Sequence, residues 1–291
     1  MLISRLVAKF KKRFGPSIQP IKIVELSIGG RAIKIHSNNK LIQAYTLFPN
    51  YSQELGRLAR LVADKYLHST LLDIGANVGD TAIIMRNVCS SQIICIEGDA
   101  HVYELLKVNT QSDERIHCYC CLLGEENSII DVDLQQEGTN LTIVPSPTGS
   151  RQIVVKKLDD FCQQMSIAGK ISLLKIDTEG YDFKILRGAA GILANDRPVI
   201  YAEYNRSNTD VLKIDALQEW EYLRKLGYHS IMFFDNYGRY VLSCCLDDFA
   251  ILADLNRYIK NGAFHYFDFC LFHKEDTELF DAFRSVELAI P

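Results

Sequence analysis

Residues 70–291 predict an α/β fold, a mainly parallel sheet covered by helices on both faces, with a late antiparallel edge strand. Three observations point there. From Thr70 onward, short apolar runs alternate with helix-period segments, which is the pattern of a parallel sheet. Two apolar strands, ending at Ile74 and Ile176, run straight into turns dense in glycine and carboxylates. The chain is also large and apolar enough to bury such a sheet: 291 residues, 48% hydrophobic and 23% charged.

The elements follow in order. Residues 1–69 form an N-terminal extension (helix, hairpin, helix) expected to pack on the core. In Met1–Phe14 the apolar residues Leu2, Ile3, Leu6, Val7, Phe10 and Phe14 fall on one helix face between basic residues. Ile21–Leu26 and Arg31–Ile35 flank Gly29-Gly30 and predict a β-hairpin. The stretch with Asn38, Asn39, Pro49 and Asn50 reads as a loop, and Ser52–Tyr66 as a helix. Then come strand Thr70–Ile74, helix Gly79–Asn87, strand Gln92–Glu97, helix Ala100–Asn109 and strand Ile116–Leu122. Glu125–Ser150 lacks a helical period and predicts a hairpin or an excursion over the active face. Strand Gln152–Lys156 and helix Leu158–Met165 lead to Ile171–Ile176, apolar enough to be placed centrally. Helix Tyr181–Leu193, strand Pro198–Tyr204 and helix Asp215–Leu226 follow, the last stopped by Gly227. Strands His229–Phe234 and Arg239–Ser243 flank a turn, Asp248–Ile259 is helical, and His265–Phe272 is the last strand.

The net charge of -4, from 32 basic and 36 acidic residues, excludes a general attraction to nucleic acid. Nine cysteines at irregular spacing include a single Cys-x2-Cys, Cys118 and Cys121, without the second such pair of a four-cysteine zinc site, and read as free thiols of a reducing compartment. Residues 1–14 lack the continuous apolar core and small-residue cleavage site of a secretory leader. The expectation is a cytoplasmic protein, with peripheral membrane contact through the basic amphipathic helix as the alternative.

The densest motif is Leu71-Leu72-Asp73-Ile74-Gly75-Ala76-Asn77-Val78-Gly79-Asp80, a strand entering a helix through glycines. The carboxyl end of a parallel strand is the ligand crevice of this architecture. A nicotinamide fingerprint needs glycine at 75, 77 and 80, and Asn77 and Asp80 break it; Asp80 would also repel a pyrophosphate. No Gly-Lys-Ser/Thr of a phosphate loop is present. A loop of carboxylate and amide groups suits a ligand carrying an ammonium and a sulfonium, with Asp73 near the cationic part and Asn77 donating through its amide. Glu97 ends the next strand about twenty residues on, where a carboxylate accepts from a ribose diol. Asp99 and Asn109 read as caps.

The second motif is Leu173-Leu174-Lys175-Ile176-Asp177-Thr178-Glu179-Gly180-Tyr181-Asp182. With Glu203 at the end of a later strand, it sets Asp177, Glu179, Asp182 and Glu203 to converge. Such a cluster either hydrogen-bonds acceptor hydroxyls, takes a proton, or holds a divalent cation through oxygen ligands; its structural alternative is ion pairing and helix capping. His265 is a candidate general base. Leu158-Asp159-Asp160-Phe161 reads as a helix start.

Taken together, the Asp73–Gly79 loop, Glu97, Asn109, Leu158-Asp159-Asp160-Phe161, Lys175-Ile176-Asp177-Thr178-Glu179-Gly180, Leu186-Arg187-Gly188-Ala189 and Glu203 resemble the FkbM family of methyltransferases. The departures are Gly98 where members often carry proline, and Tyr181-Asp182 in place of an Ala/Val-Glu pair. The resemblance spans Leu71 to Glu203 and implies a Rossmann-like class I methyltransferase fold with S-adenosyl-L-methionine as methyl donor. With it, Asp73, Gly75, Asn77, Gly79 and Glu97 are expected at the donor and Asp177, Glu179 and Glu203 at the chemistry, while His265, a candidate from the residues alone, lies outside the span of the resemblance. Its members mostly O-methylate sugars or other natural-product hydroxyls, so the expected activity is O-methylation of a sugar or glycan. Methylation of a small-molecule or lipid hydroxyl or amine is one alternative, and a non-catalytic binding protein on the same fold is another.

Overall fold

The computed structural model describes residues 22–137, 140–145, 149, 151–261 and 266–290. The helix expected over Met1–Phe14 lies outside the described residues. In chain order the elements begin with β1 (Ile23–Ile28), β2 (Arg31–His36), α1 (Leu41–Leu47), α2 (Gln53–Lys65), β3 (Thr70–Ile74), α3 (Asp80–Arg86), β4 (Gln92–Glu97) and α4 (Ala100–Thr110). Next come β5 (Ile116–Cys120), β6 (Leu122–Gly124), β7 (Ser128–Glu137), β8 (Asn140–Pro145), β9 (Arg151–Lys157), α5 (Leu158–Gln164) and β10 (Ile171–Ile176). The chain continues with α6 (Asp182–Arg187), α7 (Ala190–Asn195), β11 (Val199–Asn205), α8 (Arg206–Val211), α9 (Ala216–Lys225), β12 (Tyr228–Asp235) and β13 (Tyr240–Cys245). It closes with α10 (Phe249–Asn261), β14 (Tyr266–His273), a 3-10 turn (Lys274–Asp276) and α11 (Thr277–Leu288).

The main sheet runs β13-β12-β14-β11-β10-β3-β4-β5. The strands β5, β4, β3, β10 and β11 are mutually parallel. β10, buried at every residue, sits inside the sheet as its mostly apolar composition predicts. The expected antiparallel edge exists as β13, but antiparallel pairing reaches further in. β14 is inserted between β11 and β12 and runs against both. A second sheet, β6-β9-β7-β8, is the hairpin excursion expected over Glu125–Ser150.

Strand alternation divides the core in two, because successive side chains point to opposite faces. On one face Leu72, Ile74, Ile94, Leu174 and Ile200 pack with Phe161, Phe183, Leu193 and Trp220 of the helices beneath. On the other, Leu71, Ile93, Leu173 and Val199 pack with Leu58 and Val62 of α2 and Phe283 of α11. α2 is fixed to α11 by a forked ion pair, Arg57 Nε and Nη2 to the Glu287 carboxylate at 2.7 and 2.8 Å. The β1–β2 hairpin packs Ile28, Ile33 and Ile35 on Val78, Ile83 and Val102.

Three differences from the sequence reading have physical causes. The single helix expected over Tyr181–Leu193 is two, α6 and α7. At the break, Gly188 lies so close to Gly124 that a Cβ would meet that carbonyl oxygen at 2.1 Å. Asp159 then caps α7 from outside the segment, accepting from the backbone N–H groups of Gly191 at 2.7 Å and Ile192 at 3.0 Å. α1 occupies a stretch read as loop. α11, which follows the last predicted strand, is held at its start by Asp276, which takes Lys65 at 2.6 Å.

Candidate active site

β3 and β10 are neighbours in register, with Asp73 opposite Lys175. Both are buried and form an ion pair, Lys175 Nζ to Asp73 Oδ1 at 3.0 Å. The Thr81 hydroxyl donates to Asp73 Oδ2 at 2.7 Å, and Lys175 Nζ also donates to the Gly75 carbonyl at 2.9 Å. Burial alone would lower the lysine's proton affinity, but Asp73 and Asp177 outweigh it and hold the ammonium well above its ordinary pKa. The pair thus ties the two motif loops together beneath the site.

The glycines serve the same end. Gly75 has φ +72°, and a Cβ there would stand 1.8 Å from the Asp177 carbonyl oxygen, so only glycine lets the loops touch. Gly79, at φ +91°, abuts Leu106 and Thr110 of α4.

Above this base lies a cleft of about 600 Å³. Gly75, Asn77 and Glu97 line one end, and Asp177, Glu179 and Glu203 also line it. Asp73 and Gly79, grouped with the donor in the sequence reading, are not among its lining residues. Asp73 sits within the sheet under Lys175, and Gly79 is turned to α4, so both shape the loop from behind. His265 lies outside the described residues.

Glu97 is clamped by the backbone: its Oε2 accepts from the Asn77 N–H at 2.9 Å and its Oε1 from the Asp99 N–H at 2.8 Å. Burial raises its pKa. Asp99 caps α4 by accepting from the His101 N–H at 2.7 Å. Asn109 donates to the carbonyls of Lys34 and Val78 at 2.9 and 2.8 Å, pinning the loop's far end to the β1–β2 hairpin.

The other end is crowded with carboxyl groups. Burial, and then the charges of Asp177 and Asp182, push Glu203 well above the usual carboxylate range. Asp268 lies opposite it on β14 and is raised the same way, chiefly by burial. Asp182, raised by burial to about 7, accepts from the Thr178 hydroxyl and the Gly180 N–H, both at 3.2 Å. It is therefore a buried organiser of the β10–α6 turn. Among the described residues no three His, Cys, Asp or Glu side chains are placed to hold a metal ion. All nine cysteines are free thiols.

Several site residues carried no signal in the sequence. Tyr45 donates to Asp80 Oδ2 at 2.8 Å, and burial raises Asp80 to about 6. Tyr201 donates to Glu54 Oε1 at 2.6 Å, and burial raises Glu54 to about 7. Phe48, Tyr51, Asn236, Tyr237 and Tyr266 complete the wall. They are single residues on links and strand ends, with no spacing that joins them.

Residues 73–230 match the model of the methyltransferase FkbM domain. The chain belongs to the FkbM methyltransferase family. Its mixed sheet, with β14 running antiparallel between β11 and β12, is consistent with a Rossmann-like class I methyltransferase fold. Among solved structures, an FkbM methyltransferase from Methylobacillus flagellatus is 19% identical, with a TM-score of 0.39. That match takes in 56% of this chain and only 39% of the other. A precorrin-6y C5,15-methyltransferase from Geobacter metallireducens is 12% identical over 74% of this chain and 86% of its own, at a TM-score of 0.39. An O-methyltransferase from Bacillus cereus, solved with SAH, is 11% identical over 80% of this chain and 87% of its own, at 0.40. Likenesses at that level carry no weight for function, and the family match makes the assignment. No curated protein matches the chain. Among the described residues no helix is long and apolar enough to cross a membrane.

The FkbM match takes in both motif loops, Glu97 and Glu203. It leaves out Phe48, Tyr51, Asn236, Tyr237 and Tyr266, which wall the same cleft.

Proposed function

We propose that the chain transfers a methyl group from S-adenosylmethionine to a hydroxyl of a sugar or glycan. The observation that carries the reading is the single cleft lined both by the Gly75–Asn77 loop with Glu97 and by the carboxyl cluster around Glu203. Two features fit the donor. Each Glu97 oxygen accepts one backbone N–H and keeps a lone pair on the cleft side for a ribose diol. Asn77 Oδ1 is buried without a hydrogen-bond partner among the described residues, an acceptor that a ligand hydroxyl or ammonium satisfies.

The bound donor supplies an electrophilic methyl on a sulfonium, which attack by oxygen converts to a neutral thioether. The chain's own work is then alignment and proton removal. Gly75, Asn77 and Glu97 hold the donor. Glu203 takes the hydroxyl proton, since its raised pKa makes it a stronger base than an ordinary carboxylate, and Asp177 and Glu179 accept from neighbouring hydroxyls. The base must be ionised to act, so turnover rises with pH through the range in which Glu203 loses its proton.

Calorimetry tests the donor: S-adenosylmethionine binds, NAD does not, and Glu97→Ala weakens the former about tenfold or more. Binding of NAD in its place would overturn the reading. Glu203→Gln lowers kcat about 100-fold with donor affinity unchanged; an unaltered kcat would remove Glu203 from the chemistry.

A further inference from the structure

The acceptor end of the cleft is walled by segments outside residues 73–230. Phe48, in the link after α1, and Tyr237, in the β12–β13 turn, bring their ring centroids to 4.1 Å at an interplanar angle of 37°. Both rings line the cleft. Next to Tyr237, Asn236 also lines it, and its Oδ1 is buried with no hydrogen-bond partner among the described residues. A buried carbonyl oxygen left without a donor costs stability unless a ligand supplies one.

This wall is built to hold its shape. Asp235 Oδ1 accepts from the backbone N–H groups of Tyr237 and Arg239 at 2.9 and 3.0 Å. Gly238 has φ +75°, and a Cβ there would stand 2.3 Å from Glu54 Oε2, so the turn lies flush on α2. A preorganised aromatic surface beside an unsatisfied acceptor and a row of carboxyl groups matches one ligand chemistry well. A pyranose offers a flat C–H face to a ring and a rim of hydroxyl donors to carbonyl and carboxyl oxygens. A flat aromatic acceptor would cover the rings but has too few donors for the rim.

We propose that Phe48, Tyr237 and Asn236 form the subsite that selects a saccharide acceptor. The rings take a C–H face of the sugar, and Asn236 Oδ1 accepts from a hydroxyl other than the one methylated. The proposal rests on the methyl-transfer reading above and adds the residues that set acceptor choice.

The test uses the full chain with radiolabelled S-adenosylmethionine. The probes are methyl glycosides of glucose, galactose, mannose and rhamnose, with deoxy analogues of whichever is methylated. Tyr237→Ala raises KM for the glycoside about tenfold, Tyr237→Phe restores it, and the Kd for S-adenosylmethionine stays within about twofold in both. Asn236→Ala raises KM about tenfold and erases the penalty on one deoxy analogue. Methylation of a glycoside with a KM indifferent to both alanine substitutions overturns the subsite and leaves the methyl-transfer reading standing. Donor binding with no transfer to any of the four glycosides overturns the saccharide reading, and the subsite with it.

Discussion

The two ends of the cleft are built on opposite terms. At the donor end the polar groups are largely paired within the chain. Asp73 faces Lys175 and Thr81, Glu97 holds two backbone N–H groups, and Asn109 holds two carbonyls. At the proposed acceptor end, Asp182 Oδ1, Glu54 Oε2 and Asn236 Oδ1 are buried with no hydrogen-bond partner among the described residues, where the proposed donor end leaves Asn77 Oδ1 so placed. Burial raises Glu54, Asp182, Glu203 and Asp268 there, as it raises Glu97 and Asp80 beside the first motif loop. The contrast separates an internally paired frame at the proposed donor end from a preorganised but incompletely satisfied surface at the proposed acceptor end.

The sharpest way to break the contrast is at the ion pair. Lys175→Met strands a buried Asp73 carboxylate and should cost about 3–5 kcal/mol in urea denaturation. Adding Asp73→Asn should recover part of that loss, and full stability in the single variant would show that the donor end is not held by the pair. Next, Gly75→Ala sets a Cβ against the Asp177 carbonyl at a positive φ. It should cost about 3 kcal/mol by the same measurement, whereas Gly30→Ala, whose Cβ would meet nothing, should cost much less.

The acceptor end responds in the other direction. Glu54 is raised from 4.5 to about 7, so the folded state binds more protons than the unfolded state between those values. Stability therefore falls as pH rises through that window, and the loss is complete above it. Glu54→Gln should accordingly stabilise the fold by about 1–3 kcal/mol at pH 8 and by little at pH 4, read as the shift in thermal midpoint. A variant less stable at pH 8 would mean that the carboxyl is a structural necessity. The smallest effect belongs outside both ends. Glu275 pairs with Arg197 on the surface at 2.5 Å, and Glu275→Ala should change stability by less than about 0.5 kcal/mol.

Much of the frame was legible along the chain. Thr70–Ile74, Gln92–Glu97 and Ile171–Ile176 are strands with the bounds expected, because an apolar run closed by glycine or a carboxylate is a local signal. Gly75 and Glu97 were legible as cleft residues from their spacing alone. The break between α6 and α7 was not, since its cause is the Gly124 carbonyl more than sixty positions away. Nor was the capping partner of Asp159, which serves a helix other than its own. Phe48, Asn236 and Tyr237 stood in stretches that read simply as loop or turn.

The sequence by itself determined the strand–helix alternation, the two motif loops at strand ends, the carboxylate that closes β4 and the family. Each of these is written in residues within a turn or a short, regular distance of one another. Only the tertiary structure decided that Asp73 belongs to Lys175, that Gly75 exists to admit the Asp177 carbonyl, and which carboxyls are buried. It alone brought the link after α1 to the turn after β12. Proton affinity and close approach depend on which strands lie side by side, and Lys175 meets Gly75 across 100 positions of chain. No local period records that neighbour, and packing the two faces of the sheet sets it.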